Sequence, residues 1–125
     1  MIEHRWSQRV GADLDVLIID ANHSVSTGKL RNISLYGVYI ETNKPYPDNV
    51  YLHLRFVLPR HPRSKNSADN SRQIGAMVVH CNHTGMGLMV DTTVAGVSET
   101  MHELKQCFRH GLFPAVAQQH HANLV

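Results

Sequence analysis

The chain has 125 residues, 42% hydrophobic and 18% charged, enough for one compact domain with a real core and too few for two comfortable ones. Its formal net charge of only +2 argues against the broad basic face of a nucleic-acid polymer binder and leaves room for a local site suited to a small anion. Two cysteines make no disulfide framework, the N-terminus lacks an apolar signal region, and no run approaches the ~18 apolar residues of a membrane span, so a soluble, cytoplasmic protein without membrane insertion is expected.

Residues 1–12 are polar, with Trp6 between Arg5 and Arg9, and read as an N-terminal arm. Leu14 to Asp20 (LDVLIID) is short, apolar and β-branched, the pattern of a buried strand. Asn22-His23-Ser24 is a turn cluster. A more polar strand follows from about Ser26 to Asn32, with Lys29 and Arg31 on one face and Leu30 on the other. The hexapeptide Asn32-Ile33-Ser34-Leu35-Tyr36-Gly37 then reverses the chain into a third strand, Gly37 to Thr42, closed off by Pro45 and Pro47.

From Val50 to Leu58 the period is two: Val50, Leu52, Leu54, Phe56 and Leu58 share one face, which predicts an antiparallel strand with one buried side. Pro59 ends it. Arg60 to Arg72 is polar and reads as a long loop whose bases (Arg60, Arg63, Lys65, Arg72) form a solvated face. Ile74 to Cys81 and Met86 to Asp91 read as a last pair of strands, joined by the turn residues Asn82-His83-Thr84-Gly85. Beyond Ala95, Val97, Met101, Leu104 and Phe108 form one stripe of a helix, with Ser98 as the expected N-cap and Gly111 with Pro114 as its stop. Six short strands and one helix predict an all-β barrel or sandwich over residues 13–111 with a C-terminal α-helix, and residues 112–125 as a tail.

Two segments hold side chains suited to a ligand. Arg5 and Arg9, four residues apart, carry planar donor forks that match phosphate oxygens or the O6/N7 edge of guanine. Asn32 and Ser34 lie two apart, so in an extended chain they project to one side, offering donors and acceptors. Gly37 is expected to permit positive φ and close approach of a ligand to the main chain.

These two motifs, Arg5-Trp6-Ser7-Gln8-Arg9 and Asn32-Ile33-Ser34-Leu35-Tyr36-Gly37, resemble the RxxxR and [D/N]xSxxG pair that defines the PilZ domain, a bacterial receptor for cyclic di-GMP. Gly85-Met86-Gly87-Leu88-Met89-Val90 is similar to that family's late strand, with Val90 where an aromatic is usual. The resemblance covers about residues 3 to 110. It implies a six-stranded antiparallel β-barrel with a C-terminal helix, and no cofactor beyond the bound nucleotide. It also implies that Arg5 and Arg9 grip phosphates and guanine edges, that Asn32 and Ser34 hydrogen-bond the ligand, and that Gly37 holds the turn. The N-terminal arm would fold over the ligand and pass the signal to a downstream protein partner. Some members add an aromatic platform from the fifth strand. Here His80 is the nearest counterpart, and His4 stands where many members carry another basic residue.

Other chemistries find less support. His80, Cys81 and His83 are near in sequence, but His80 and Cys81 alternate along a strand, so no metal site is expected. No GxSxG, HExxH or paired-carboxylate arrangement accompanies Ser34, so no enzyme is expected. Eight aromatics and near-neutral charge argue against single-stranded nucleic-acid binding. The remaining alternative is a PilZ-like adaptor that binds protein and no nucleotide.

Overall fold

Strands form where inward apolar and outward polar residues alternate, and a computed structural model covering residues 9–58 and 70–109 shows six of them. They are β1 (Val10–Ile19), β2 (Val25–Ile33), β3 (Gly37–Glu41), β4 (Tyr51–Val57), β5 (Ser71–Asn82) and β6 (Gly85–Val90), followed by helix α1 (Val97–Arg109). His4, Arg5, Trp6, the loop bases Arg60, Arg63 and Lys65, the helix stop at Gly111 and Pro114, and the tail at 112–125 lie outside the described residues.

All strand pairs are antiparallel, in the order β1-β2-β3-β6-β5-β4, and β4 returns to β1 through Ile18 opposite Leu54. The sheet is therefore a closed barrel, the alternative that leaves no unpaired edge. Ile18, Leu30, Ile40, Leu52, Leu54 and Met86 fill it, each at most 1% exposed. Full burial of one such side chain stabilises by about 1.5–3 kcal/mol. The helical stripe Val97, Met101, Leu104 and Phe108 joins the same core, with α1 packed against β1. No helix among the described residues is long and apolar enough to cross a membrane.

Several boundaries differ from those read in the sequence. β1 begins at Val10 rather than Leu14. β5 begins at Ser71 rather than Ile74, so Arg72 is no loop residue: it pairs with Phe56 and its Nε lies 3.6 Å from the Glu103 carboxylate on α1. Polar Ser71, Arg72 and Gln73 hide the start of β5, and the small Gly11 and Ala12 hide that of β1; both ends are held by backbone pairing. Ser98 is not the N-cap. Gly96, at φ 88°, accepts the first helical hydrogen bond from Thr100 N, because Val97 is already helical and buried.

Three β-bulges interrupt the ladders, between Gly11 and Leu14, Leu30 and Asn32, and Val78 and His80. A bulge adds one residue to a strand and re-aims the side chains beyond it. Strict alternation from inward Leu30 would turn Asn32 into the core, and alternation from inward Val78 would do the same to His80. With Arg31 and Val79 as the extra residues, Asn32 is half-buried and His80 exposed.

The β1–β2 turn is built on Asp20. Its Oδ1 accepts from Asn22 N and Ser24 N, and its Oδ2 accepts from the Tyr46 hydroxyl at 2.8 Å. Chiefly through the Tyr46 bond, the carboxyl is held below the ordinary aspartate value, against a smaller opposing effect of desolvation. Stability from a depressed carboxyl is present above its unfolded pKa of about 4 and lost as pH falls through the lower folded value.

Two outcomes are expected from this framework. Urea titrations should show wild type more stable than Tyr46→Phe at pH 7, with the gap closing as pH falls toward about 3. Gly85→Ala should destabilise by about 1–3 kcal/mol or more, since a methyl there runs into the Ile40 carbonyl oxygen and the Tyr39 ring.

Candidate functional site

Ser34 builds the turn after β2. Its N–H donates to Gly37 O at 2.9 Å, and its Oγ accepts from Gly37 N at 3.1 Å and Tyr36 N at 3.3 Å. A side chain that closes its own backbone in this way fixes the turn without help from the rest of the fold. Val90 N then donates to Tyr36 O at 2.8 Å, tying the turn to β6.

Gly37 has a different reason from the one expected. Its φ is not in the left-handed region, where Gly96 is the one described glycine. A Cβ on Gly37 would sit 3.1 Å from Leu88 O, so the glycine permits β3 to approach β6 closely.

Asn32 stands on the outer wall, opposite Gly11 of β1 and Tyr39 of β3. Among the described residues its side-chain amide has no hydrogen-bond partner. Arg9 is exposed and immediately precedes β1, two residues from Gly11. Among the described residues the space over Gly11 is open, with no atom within 4 Å of where a Cβ would be. Arg9, Asn32, Ser34 and Gly37 are thus brought to one region, at the start of β1 and the end of β2. Arg5 and His4, which complete the expected set, lie outside the described residues.

The register extends this region into a row. Gly11 faces Asn32, Asn32 faces Tyr39, Tyr39 faces Gly87, and Gly87 faces His80. The row crosses five strands, roughly 20 Å at about 4.8 Å per strand spacing. His80 is therefore distant from Asn32 along the chain but on the same outer face. Its ring and that of Tyr39 have centroids 6.4 Å apart and planes inclined by 28°. The Tyr39 hydroxyl pairs with Thr84 Oγ1 at 2.9 Å, in a turn organised by the Asn82 side chain.

Sequence reasoning did not single out Tyr39. Its outward position is legible from the inward Val38 and Ile40, but its neighbours are not.

Beside the row the wall is ionic. Arg31 Nε lies 2.6 Å from Glu41 and its Nη1 3.6 Å from Asp13, while Lys29 lies 2.9 Å from Asp15. The Asp15 hydrogen bond holds the Lys29 amine above its ordinary value. A broad depression lined by Asp13, Lys29, Arg31, Glu41 and Arg55 opens there, and Asn32, Ser34 and Gly37 take no part in it. Its Lys29 and Arg31 are already matched by carboxylates, so it is a poorer place for an anion than the row itself, which carries no carboxylate.

His80 and Cys81 are both exposed but pair with successive residues, Gly87 and Met86, so they stay on alternate faces of β5. Among the described residues no three His, Cys, Asp or Glu side chains gather as metal ligands would.

The fold is that of the PilZ domain. It is similar to the PilZ domain of CeSA from a cellulose-synthesizing bacterium, with a TM-score of 0.68 and 16% identity over 83% of this chain and 100% of that one. It is similar to the PilZ domain of YcgR from Escherichia coli, whose structure is with c-di-GMP, with a TM-score of 0.64 and 12% identity over 98% and 100%. It is also similar to the Bacillus subtilis inhibitor of motility (MotI/DgrA), with a TM-score of 0.62 and 24% identity over 89% of this chain. This chain spans about half of that protein, 53%. No family model matches the sequence, and no curated protein matches it closely.

The two polar residues of the hexapeptide should separate in their effect on stability. Ser34→Ala, which strips the turn of its acceptor, should cost about 1 kcal/mol in urea unfolding. Asn32→Ala, which breaks no hydrogen bond among the described residues, should stay within about 0.5 kcal/mol of wild type.

Proposed function

We propose that this chain is a non-catalytic receptor that binds cyclic di-GMP on the outer wall of its barrel and relays the signal to a protein partner. The observation that carries the reading is Asn32, whose amide, without a partner among the described residues, is turned outward by a bulge beside Arg9 and the Ser34 turn. Buried or half-buried amides normally find partners, so one left open on a wall suits an incoming ligand. The PilZ fold supports the choice of nucleotide.

In this reading Arg9, with Arg5, takes the phosphates or a guanine edge through charge-assisted, bidentate bonds. Asn32 offers both an acceptor and a donor to the base. Ser34 spends its acceptor on the turn and has its hydroxyl proton to give, its present acceptor being Gly37 O at a long 3.4 Å. Gly37 keeps the turn close to β6. Ligand binding draws the segment that carries Arg5 and Arg9 onto the wall, and the altered surface is what the partner reads.

A second reading, an adaptor that binds protein and no nucleotide, draws on a different row. Tyr51, Met77 and Met89 face one another across β4, β5 and β6, at 39%, 42% and 59% exposure. That is more apolar surface than a wall facing only water needs.

Calorimetric titration with cyclic di-GMP separates the two. Binding heat and a raised Tm are expected, with affinity falling at least about tenfold in Arg9→Ala and in Asn32→Ala. Affinity should also weaken as salt rises, because the phosphate contacts are screened. No heat and no stabilisation at saturating ligand would contradict the receptor reading and favour the adaptor.

A further inference from the structure

Two slips of register meet at Arg31. Between the line Leu14–Leu30–Ile40 and the line Gly11–Asn32–Tyr39, β1 advances three residues, β2 two and β3 one. Ala12 and Asp13 of β1 therefore stand opposite the single residue Arg31, and Arg31 has no counterpart on β3. A bulge bends its strand and leaves the extra residue outside the ladder, so two bulges side by side make a weakly paired part of the wall. It is also the part that aims Asn32.

The side chain at this crossing spans the gap in the pairing. Arg31 Nε donates to Glu41 Oε1 on β3 at 2.6 Å, and its Nη1 lies 3.6 Å from Asp13 Oδ1, within the β1 bulge. Glu41 stands directly opposite Lys29 in the ladder, yet its carboxylate takes the diagonal bond to Arg31. Lys29 turns the other way, to Asp15 at 2.9 Å and Asp13 at 3.6 Å. Among the described residues, Arg31 is thus the one cation joined to both neighbouring strands.

We propose that Arg31 is a positioning residue of the ligand wall, its fork clamping the double slip so that Asn32 stays aimed outward beside Arg9. It rests on the receptor reading for the ligand, and on the geometry alone for the clamp. A guanidinium suits the task, because its separate N–H groups serve carboxylates on two strands at once. Arg31, Asp13 and Glu41 are each about half exposed, so their bonds add little to global stability. What they bias is the local register. Strict alternation from Leu30 would carry Asn32 into the core. A wall that samples that register presents its ligand residues for a smaller fraction of the time, and apparent affinity falls by that fraction.

The test uses the full chain and four variants: Arg31→Ala, Arg31→Lys, the double variant Asp13→Ala with Glu41→Ala, and Lys29→Ala as the control. Without ligand, the backbone amides from Leu30 to Ile33 should exchange with solvent at least about fivefold faster in the first three, and within about twofold of wild type in the control. Tm should stay within about 5 °C throughout. Cyclic di-GMP should bind about threefold to tenfold more weakly to the first three, and within about twofold of wild type to Lys29→Ala. The double variant separates positioning from contact. Removing two carboxylates beside an anionic ligand should tighten binding if Arg31 touches the ligand or only adds positive charge, and should weaken it if Arg31 positions Asn32.

Equal or tighter binding by the double variant, unchanged exchange in Arg31→Ala, or an equal effect of Lys29→Ala would overturn the clamp and leave the receptor reading standing. Faster exchange in the first three variants with no cyclic di-GMP binding by wild type would keep the clamp and overturn the receptor reading. Unchanged exchange and no binding would overturn both.

Discussion

The closeness with which β3 approaches β6 sets the rest of this barrel. Those two strands are distant in sequence, and their pairing, Gly37 through Glu41 against Met89 through Gly85, is the crossover that lets the six strands close. Side chains on their facing residues would hold them apart. Gly37 clears the Leu88 carbonyl, and Gly85 clears the Ile40 carbonyl and the Tyr39 ring. Once the strands meet, the Ser34 turn is drawn against Val90, the core residues Ile40 and Met86 face each other, and the outside of β6 is left smooth.

On that smooth wall, bulges decide what a ligand would meet. Alternation alone would bury Asn32 beside Leu30 and His80 beside Val78, where a polar group without a partner costs free energy. One extra residue in each strand moves both outward, into register with Tyr39 and Gly87. The extra residue in β2 is itself useful: Arg31 holds Asp13 and Glu41, so their negative charge is met next to the row. The wall thus divides into an ionic part that satisfies itself and a row with an open amide, two rings and space over Gly11.

Much of this could be read from the chain alone. The alternation of Leu52, Leu54 and Phe56 against Tyr51, His53 and Arg55, and the stripe from Val97 to Phe108, depend only on local period, and both elements form as read. The hexapeptide turn was legible for the same reason, since Ser34 bonds within its own four residues. What could not be read depends on pairing between distant segments. A bulge leaves no mark in one sequence, because nothing distinguishes Arg31 or Val79 as an extra residue until its partner strand is known. The reason for Gly37 lies on Leu88, some fifty residues away, so positive φ was the wrong explanation for the right residue. Tyr39 was visible as an outward side chain, yet its meaning came only with β6 bare beside it and His80 beyond. Ser98 failed as a cap because tertiary burial of Val97 moved the helix start two residues earlier than hydroxyl chemistry favours.

The central claim is that one row of the outer wall, from Gly11 through Asn32, Tyr39 and Gly87 to His80, is the ligand face. Backbone amide shift mapping during a cyclic di-GMP titration tests it most directly. The perturbed amides should trace Arg9 to Gly11, Asn32 to Tyr39, and Gly87 with His80, leaving Asp15, Thr27 and Arg55 unmoved. Perturbations centred instead on the ionic depression around Lys29 and Arg55, or none at saturating ligand, would contradict it.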